Sequence, residues 1–147
     1  MGLYYKSIQS GILVGSKNET TFALTPVALT NAYTGNTEIL ETGSFSKLDI
    51  RFSYTTGAAE TDNSIDILLE ESDDRTNWFA IPNDATSGGT STLTDRTFNY
   101  INAVAATNKK SSVGVDIFYK YMRISFKEAG VAANAGTIYA EYSLMGL

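Results

Sequence analysis

The densest run of reactive side chains is Glu70-Glu71-Ser72-Asp73-Asp74-Arg75-Thr76-Asn77-Trp78. Carboxylates at 70, 71, 73 and 74 invite a glycosidase reading, in which an acid and a base or nucleophile stand about 5–10 Å apart across a sugar bond. The preceding Ile65, Ile67 and Leu69 alternate as in a strand, so Glu70 and Glu71 fall on opposite faces and cannot cooperate. Asp73 and Asp74 fall in a polar turn open to water, where nothing raises a carboxyl pKa. Hard cations take such loop carboxylates, and Asp62-Asn63 offers a second pair, but the spacing of an EF-hand loop is absent. The run reads as a solvated acidic hairpin, with no metal site expected.

Within it, Ser72 and Asp74 have the short polar side chains that bond a turn's own backbone, and Trp78 re-enters the next strand with a large apolar surface. These three are expected to form a structural hairpin brace. The segment resembles the Asp-box of sialidases, Ser-x-Asp-x-Gly-x-Thr-Trp, one residue shorter and without its Gly. In that family the motif looks structural and lies away from catalysis.

Other catalytic chemistry is poorly supplied. The chain has no Cys and no His, which removes thiolate sites, disulfides, and the usual general base and zinc ligand. No dinucleotide, phosphate-loop or nucleophile-elbow motif occurs, so no cofactor is expected. Ser44-Phe45-Ser46-Lys47 matches Ser-x-x-Lys, but runs into a strand instead of opening a helix. Tyr119 and Tyr121 flank Lys120, with Arg123 next on their face; this set could stack on sugars or bases, and packing under a second layer is preferred. An enzyme is not expected.

Sixteen acidic against eleven basic residues give a net charge of -5 across 147 residues, which disfavours binding to phosphate backbones. The only adjacent basic pair, Lys109-Lys110, reads as a solvated loop. Apolar runs are too short to span a bilayer, and Met1–Lys6 lacks the pattern of a signal peptide. The expectation is a protein with no membrane or nucleic-acid partner, made in the cytoplasm of its cell.

Eighteen Thr, nine Tyr and seven Phe point to strands. Alternation of period two is clear in Leu48–Tyr54, Ile65–Leu69, Met122–Phe126 and Ile138–Leu144. Further strands are expected at Ile12–Val14, Thr20–Leu24, Glu38–Glu41, Trp78–Ile81 and Thr97–Ile101, with one helical turn at Asn102–Thr107. About eight or nine strands between turn clusters favour an all-β, antiparallel two-sheet β-sandwich of jelly-roll type. One domain is expected over residues 12–147. Residues 1–11 read as either an edge strand or an arm, with Leu3, Tyr4, Tyr5 and Ile8 gripping a neighbour. Pro82–Thr97 reads as a long polar loop.

Ser64–Ile81 followed by Lys120–Met145, about a third of the chain, resembles β-sandwich proteins of tailed-bacteriophage virions. The shared features are a Glu-x-Ser-x-Asp hairpin leading to a Trp (Glu70 to Trp78), and a Lys-Tyr-hydrophobic-Arg strand (Lys120-Tyr121-Met122-Arg123). A Gly-containing turn (Gly130 to Gly136) and a final aromatic strand (Thr137 to Leu144) follow. The Gly usual in the hairpin is Arg75 here. The resemblance implies a virion component, most simply a capsid decoration (cement) protein bound to the major capsid protein on the head surface, often as a homotrimer. A tail-tube or tail-accessory subunit, or a carbohydrate-binding module on a tail or fibre, is the alternative.

Overall fold

The structure, a computed structural model, describes residues 7–33, 38–57, 64–81, 96–99, 108–129 and 135–146. Leu3, Tyr4 and Tyr5, the Asn102–Thr107 turn, Asp62-Asn63 and most of the Pro82–Thr97 loop lie outside these residues.

Among the described residues every element is a strand. In chain order they are β1 (Ser7–Val14), β2 (Ser16–Lys17), β3 (Leu24–Thr25), β4 (Val27–Ala28), β5 (Leu40–Glu41), β6 (Lys47–Thr55), β7 (Ser64–Ser72), β8 (Phe79–Ala80), β9 (Arg96–Asn99), β10 (Asn108–Asp116), β11 (Tyr121–Ala129) and β12 (Thr137–Gly146). All pair antiparallel. The first sheet runs β1-β12-β6-β10, with β4 continuing the edge beside β12; the second runs β5-β11-β7-β8, with β9 also on β7.

The alternating segments behave as their period dictates. Leu48, Ile50, Phe52 and Tyr54 of β6 are buried, as are Ile138, Ala140, Tyr142 and Leu144 of β12. From the second sheet, Ile65, Ile67, Leu69, Met122, Ile124 and Phe126 join them in a single core cluster. Each such side chain withdrawn from water contributes roughly 1.5–3 kcal/mol before chain entropy is set against it.

Three expectations need correction. Lys109-Lys110 lies in no loop but in β10, which pairs with β6 over its whole length, from Asn108 opposite Thr55 to Asp116 opposite Lys47. Its polar start and Gly114 give it little strand propensity of its own, so pairing makes the strand. Of Thr20–Leu24 only Leu24 lies in a strand, β3, and the residues before it turn: Asn18 Oδ1 accepts from the Thr20 and Thr21 amides at 2.9 and 2.8 Å, and Phe22 has φ 60°. The Asx turn overrides threonine's preference for strands. Finally, Tyr119 precedes β11 instead of sharing a strand face with Tyr121; its carbonyl accepts from Thr42 Oγ1 at 2.7 Å.

The chain leaves the first sheet at Gly15, whose φ of 84° suits glycine and where a Cβ would lie 2.6 Å from the Thr25 carbonyl. The β2–β3 hairpin follows, and β4 then returns to the edge. From there residues 28–30 cross to the second sheet. The Leu29 amide donates to the Gly136 carbonyl and the Glu128 amide to the Thr30 carbonyl, both at 2.9 Å.

At this corner the core contains a carboxyl group. Glu128, 1% exposed, follows Met122, Ile124 and Phe126 on the inward face of β11. Tyr54 Oη, from the other sheet, donates to its Oε1 at 2.6 Å, and the Gly136 amide donates to both oxygens at 3.2 and 3.1 Å. Position 136 admits no side chain, since a Cβ there would lie 2.6 Å from Tyr54 Cε2, 2.8 Å from the Thr55 carbonyl and 2.9 Å from Glu128 Oε1. Gly136→Ala is therefore expected to cost about 1–3 kcal/mol in urea unfolding, the range for overpacking a tight site. A wild-type midpoint for this variant would contradict the described corner.

Candidate functional site

The outward residues of β7 and β11 pair by register: Asp66 with Lys127, Leu68 with Ser125, Glu70 with Arg123, and Ser72 with Tyr121. Opposite charges thus meet across the strands, the arrangement that favours a cross-strand pair. Arg123 engages Glu70 with both ends of its fork, Nε to Oε2 at 2.7 Å and Nη2 to Oε1 at 3.0 Å. Lys127 Nζ lies 3.6 Å from Asp66 Oδ2.

Each cation also lies over a ring. The Arg123 guanidinium is 4.3 Å from the Trp78 centroid, Lys127 Nζ 4.5 Å from that of Tyr33, and the Arg75 guanidinium 4.4 Å from that of Tyr121. Arg75 in turn pairs with Glu41 at the sheet's edge. The result is three rungs of carboxylate, cation and aromatic ring on one face. Partly desolvated contacts of this kind are worth roughly 0.5–2 kcal/mol each.

Rung positions depend on the hairpin between β7 and β8. Ser72, fully buried, accepts on Oγ from the Asp74 and Arg75 amides at 3.2 and 3.0 Å. Asp74 Oδ1 accepts from the Thr76 and Asn77 amides, both at 2.8 Å, and Oδ2 from Asn77 Nδ2 at 2.7 Å. The Asn77 and Thr76 amides hold the Asp74 carboxyl well below the usual carboxylate range. Trp78 Nε1 donates to the Arg75 carbonyl at 3.2 Å. Ser72, Asp74 and Trp78 thus meet in one hydrogen-bonded loop.

Arg75 occupies the left-handed region, φ 63°, which favours glycine. Its stack on Tyr121 and its pair with Glu41 offset the strain that a Cβ brings there.

The remaining sequence candidates fall elsewhere. Glu71 sits on the opposite face from Glu70, and burial, followed by Asp73, pushes its carboxyl up. Ile8 lies on β1 opposite Met145 and is exposed. Lys47, from the Ser-x-x-Lys match, sits 3.1 Å from Asp116. Among the described residues no three metal-ligating side chains gather. Sequence reasoning missed Asp66, Lys127, Tyr33 and Glu41 as members of the ladder. A signal was present for the first two: acids at 66 and 70 and bases at 123 and 127 have matching spacing on two amphipathic strands. Comparison with known families and with curated proteins gives no match for this chain.

The account separates two variants that lose the same side-chain contacts. Arg75→Ala keeps the left-handed strain, whereas Arg75→Gly relieves it, so the Gly variant is expected to be the more stable by about 1 kcal/mol. Equal urea midpoints would contradict the role given to the backbone at residue 75.

Proposed function

We propose that the chain is a structural protein of a tailed-phage virion: a capsid decoration protein with a jelly-roll domain, docked on the head surface as a homotrimer. Support for the jelly roll lies in the strand order. With β1, β5, β6, β7, β8/β9, β10, β11 and β12 taken as strands one to eight, the first sheet reads 1-8-3-6 and the second 2-7-4-5. That is the two-Greek-key order recurrent in viral capsid and lectin domains. Because one fold serves many roles, the function rests on the surface.

The observation that carries it is the end of the domain at which the N-terminal segment joins. Ser7 pairs with Gly146, and Met145 lies level with Lys47 and Asp116 across the first sheet. The neighbouring loop after β10 carries Phe118, 81% exposed, and Tyr119. The described start of β1 therefore lies at the same end of the domain as an exposed aromatic pair, and Ile8 there is exposed as well. Apolar and aromatic anchors gathered at one end suit docking onto a large surface, where a few such residues supply most of the affinity. Closed cyclic symmetry would place the same end of each protomer on the capsid.

The truncation stops at residue 6, because Ser7–Ser10 pair with Gly146–Ser143 and must be kept. A variant lacking residues 1–6 and carrying Phe118→Ser is expected to remain folded by circular dichroism. It should co-sediment with undecorated capsids at least thirtyfold more weakly, the equivalent of one hot spot of about 2 kcal/mol. Undiminished co-sedimentation would overturn the proposal.

A further inference from the structure

The outer face of the first sheet holds a feature the decoration role does not use. The β2–β3 hairpin covers part of this face and buries Tyr139 to 4% exposure. Beside it lies an open groove of about 390 Å³, within the size range of small-ligand sites. Two cross-strand rows form its floor: Tyr139, Ser53 and Lys110, then Glu141, Arg51 and Ser112. Lys17 and Leu24 of the hairpin form a wall.

Charge in the groove runs against the sign of the chain. Lys17, Arg51 and Lys110 face a single carboxylate, Glu141, in a protein of net charge -5. Glu141 is shared, with Lys17 Nζ at 4.0 Å and Arg51 Nη2 at 3.3 Å; Arg51 also reaches Asp49 at 3.6 Å. Lys110 has no acidic partner among the described residues. As diagonal neighbours on paired strands, Arg51 and Lys110 can reach one group between them. Tyr139 Oη donates to Glu141 at 2.8 Å, and burial, then Glu141, pushes its pKa up to about 12, so it remains a neutral hydroxyl.

The geometry points to a binding site for a compact, hydroxylated organic anion, the chemistry of an acidic sugar. Its carboxylate sits between Lys110 and Arg51, its hydroxyls meet Ser53 and Ser112, and an apolar ring edge rests on Leu24. A long polyanion is disfavoured by the chain's overall negative charge; a single small anion meets only the local field.

The test is an amide chemical-shift titration of the full chain at low ionic strength with glucuronate, glucose and inorganic phosphate. Saturable shifts at Lys17, Ser53, Lys110, Ser112 and Tyr139 are expected with glucuronate, and binding at least tenfold weaker for each of the other two. Lys110→Glu should weaken glucuronate binding at least tenfold while Lys110→Arg preserves it, with unchanged spectra elsewhere showing that both variants fold. No saturable shift, equal binding of glucose or phosphate, or an unaffected Lys110→Glu variant would each overturn the proposal.

Discussion

A carboxyl group withdrawn from water must find hydrogen bonds or the core does not form. Glu128 meets that demand by drawing on Tyr54 from the facing sheet and on the Gly136 amide at the start of β12. Both contacts require the two sheets to stand at one separation and one register. The same few residues bind the crossing segment, through Leu29 to Gly136 and Thr30 to Glu128. A purely apolar core tolerates sliding and repacking. A buried polar group on one sheet whose partners lie on the other does not, and it fixes where the 28–30 crossing and the start of β12 lie.

With the inner faces so fixed, the two outer faces diverge. On the second sheet, cations are taken up by carboxylates and aromatic rings together, so the Trp78 and Tyr121 surfaces that could hold a sugar each have a guanidinium on one side. On the first sheet, one hairpin covers Tyr139 and leaves a groove whose basic side chains outnumber its acids. Stacking chemistry is thus internal on one face, and charge is available on the other. The end of the domain bearing Phe118 is distinct from both faces, and it is the end at which β1 starts.

The sequence displayed those parts that follow from local period. The alternation through 48–54, 65–69, 122–126 and 138–144 locates the four central strands and their inward residues, because a half-buried strand can satisfy water and core only by alternating. β10 was invisible, since Asn108–Ser112 carries no apolar residue and its strand character comes from β6. The hairpin at Ser72–Trp78 was legible because its polar groups bond locally, within a few residues. Glu128 was legible only in hindsight: it continues the Met122-Ile124-Phe126 alternation, and a carboxylate there reads as the end of the buried run. The groove depends on β10 for part of its floor and on a hairpin whose threonines suggest a strand for its wall, so neither could be read from the chain.

The most direct test of the inter-sheet constraint is a double-mutant cycle in urea unfolding with Tyr54→Phe, Glu128→Gln and the pair. The account predicts that the two positions are coupled by about 1 kcal/mol or more, as partners in one buried network are. Additivity within about 0.5 kcal/mol would mean that the two sheets are held by apolar packing alone, and would contradict it.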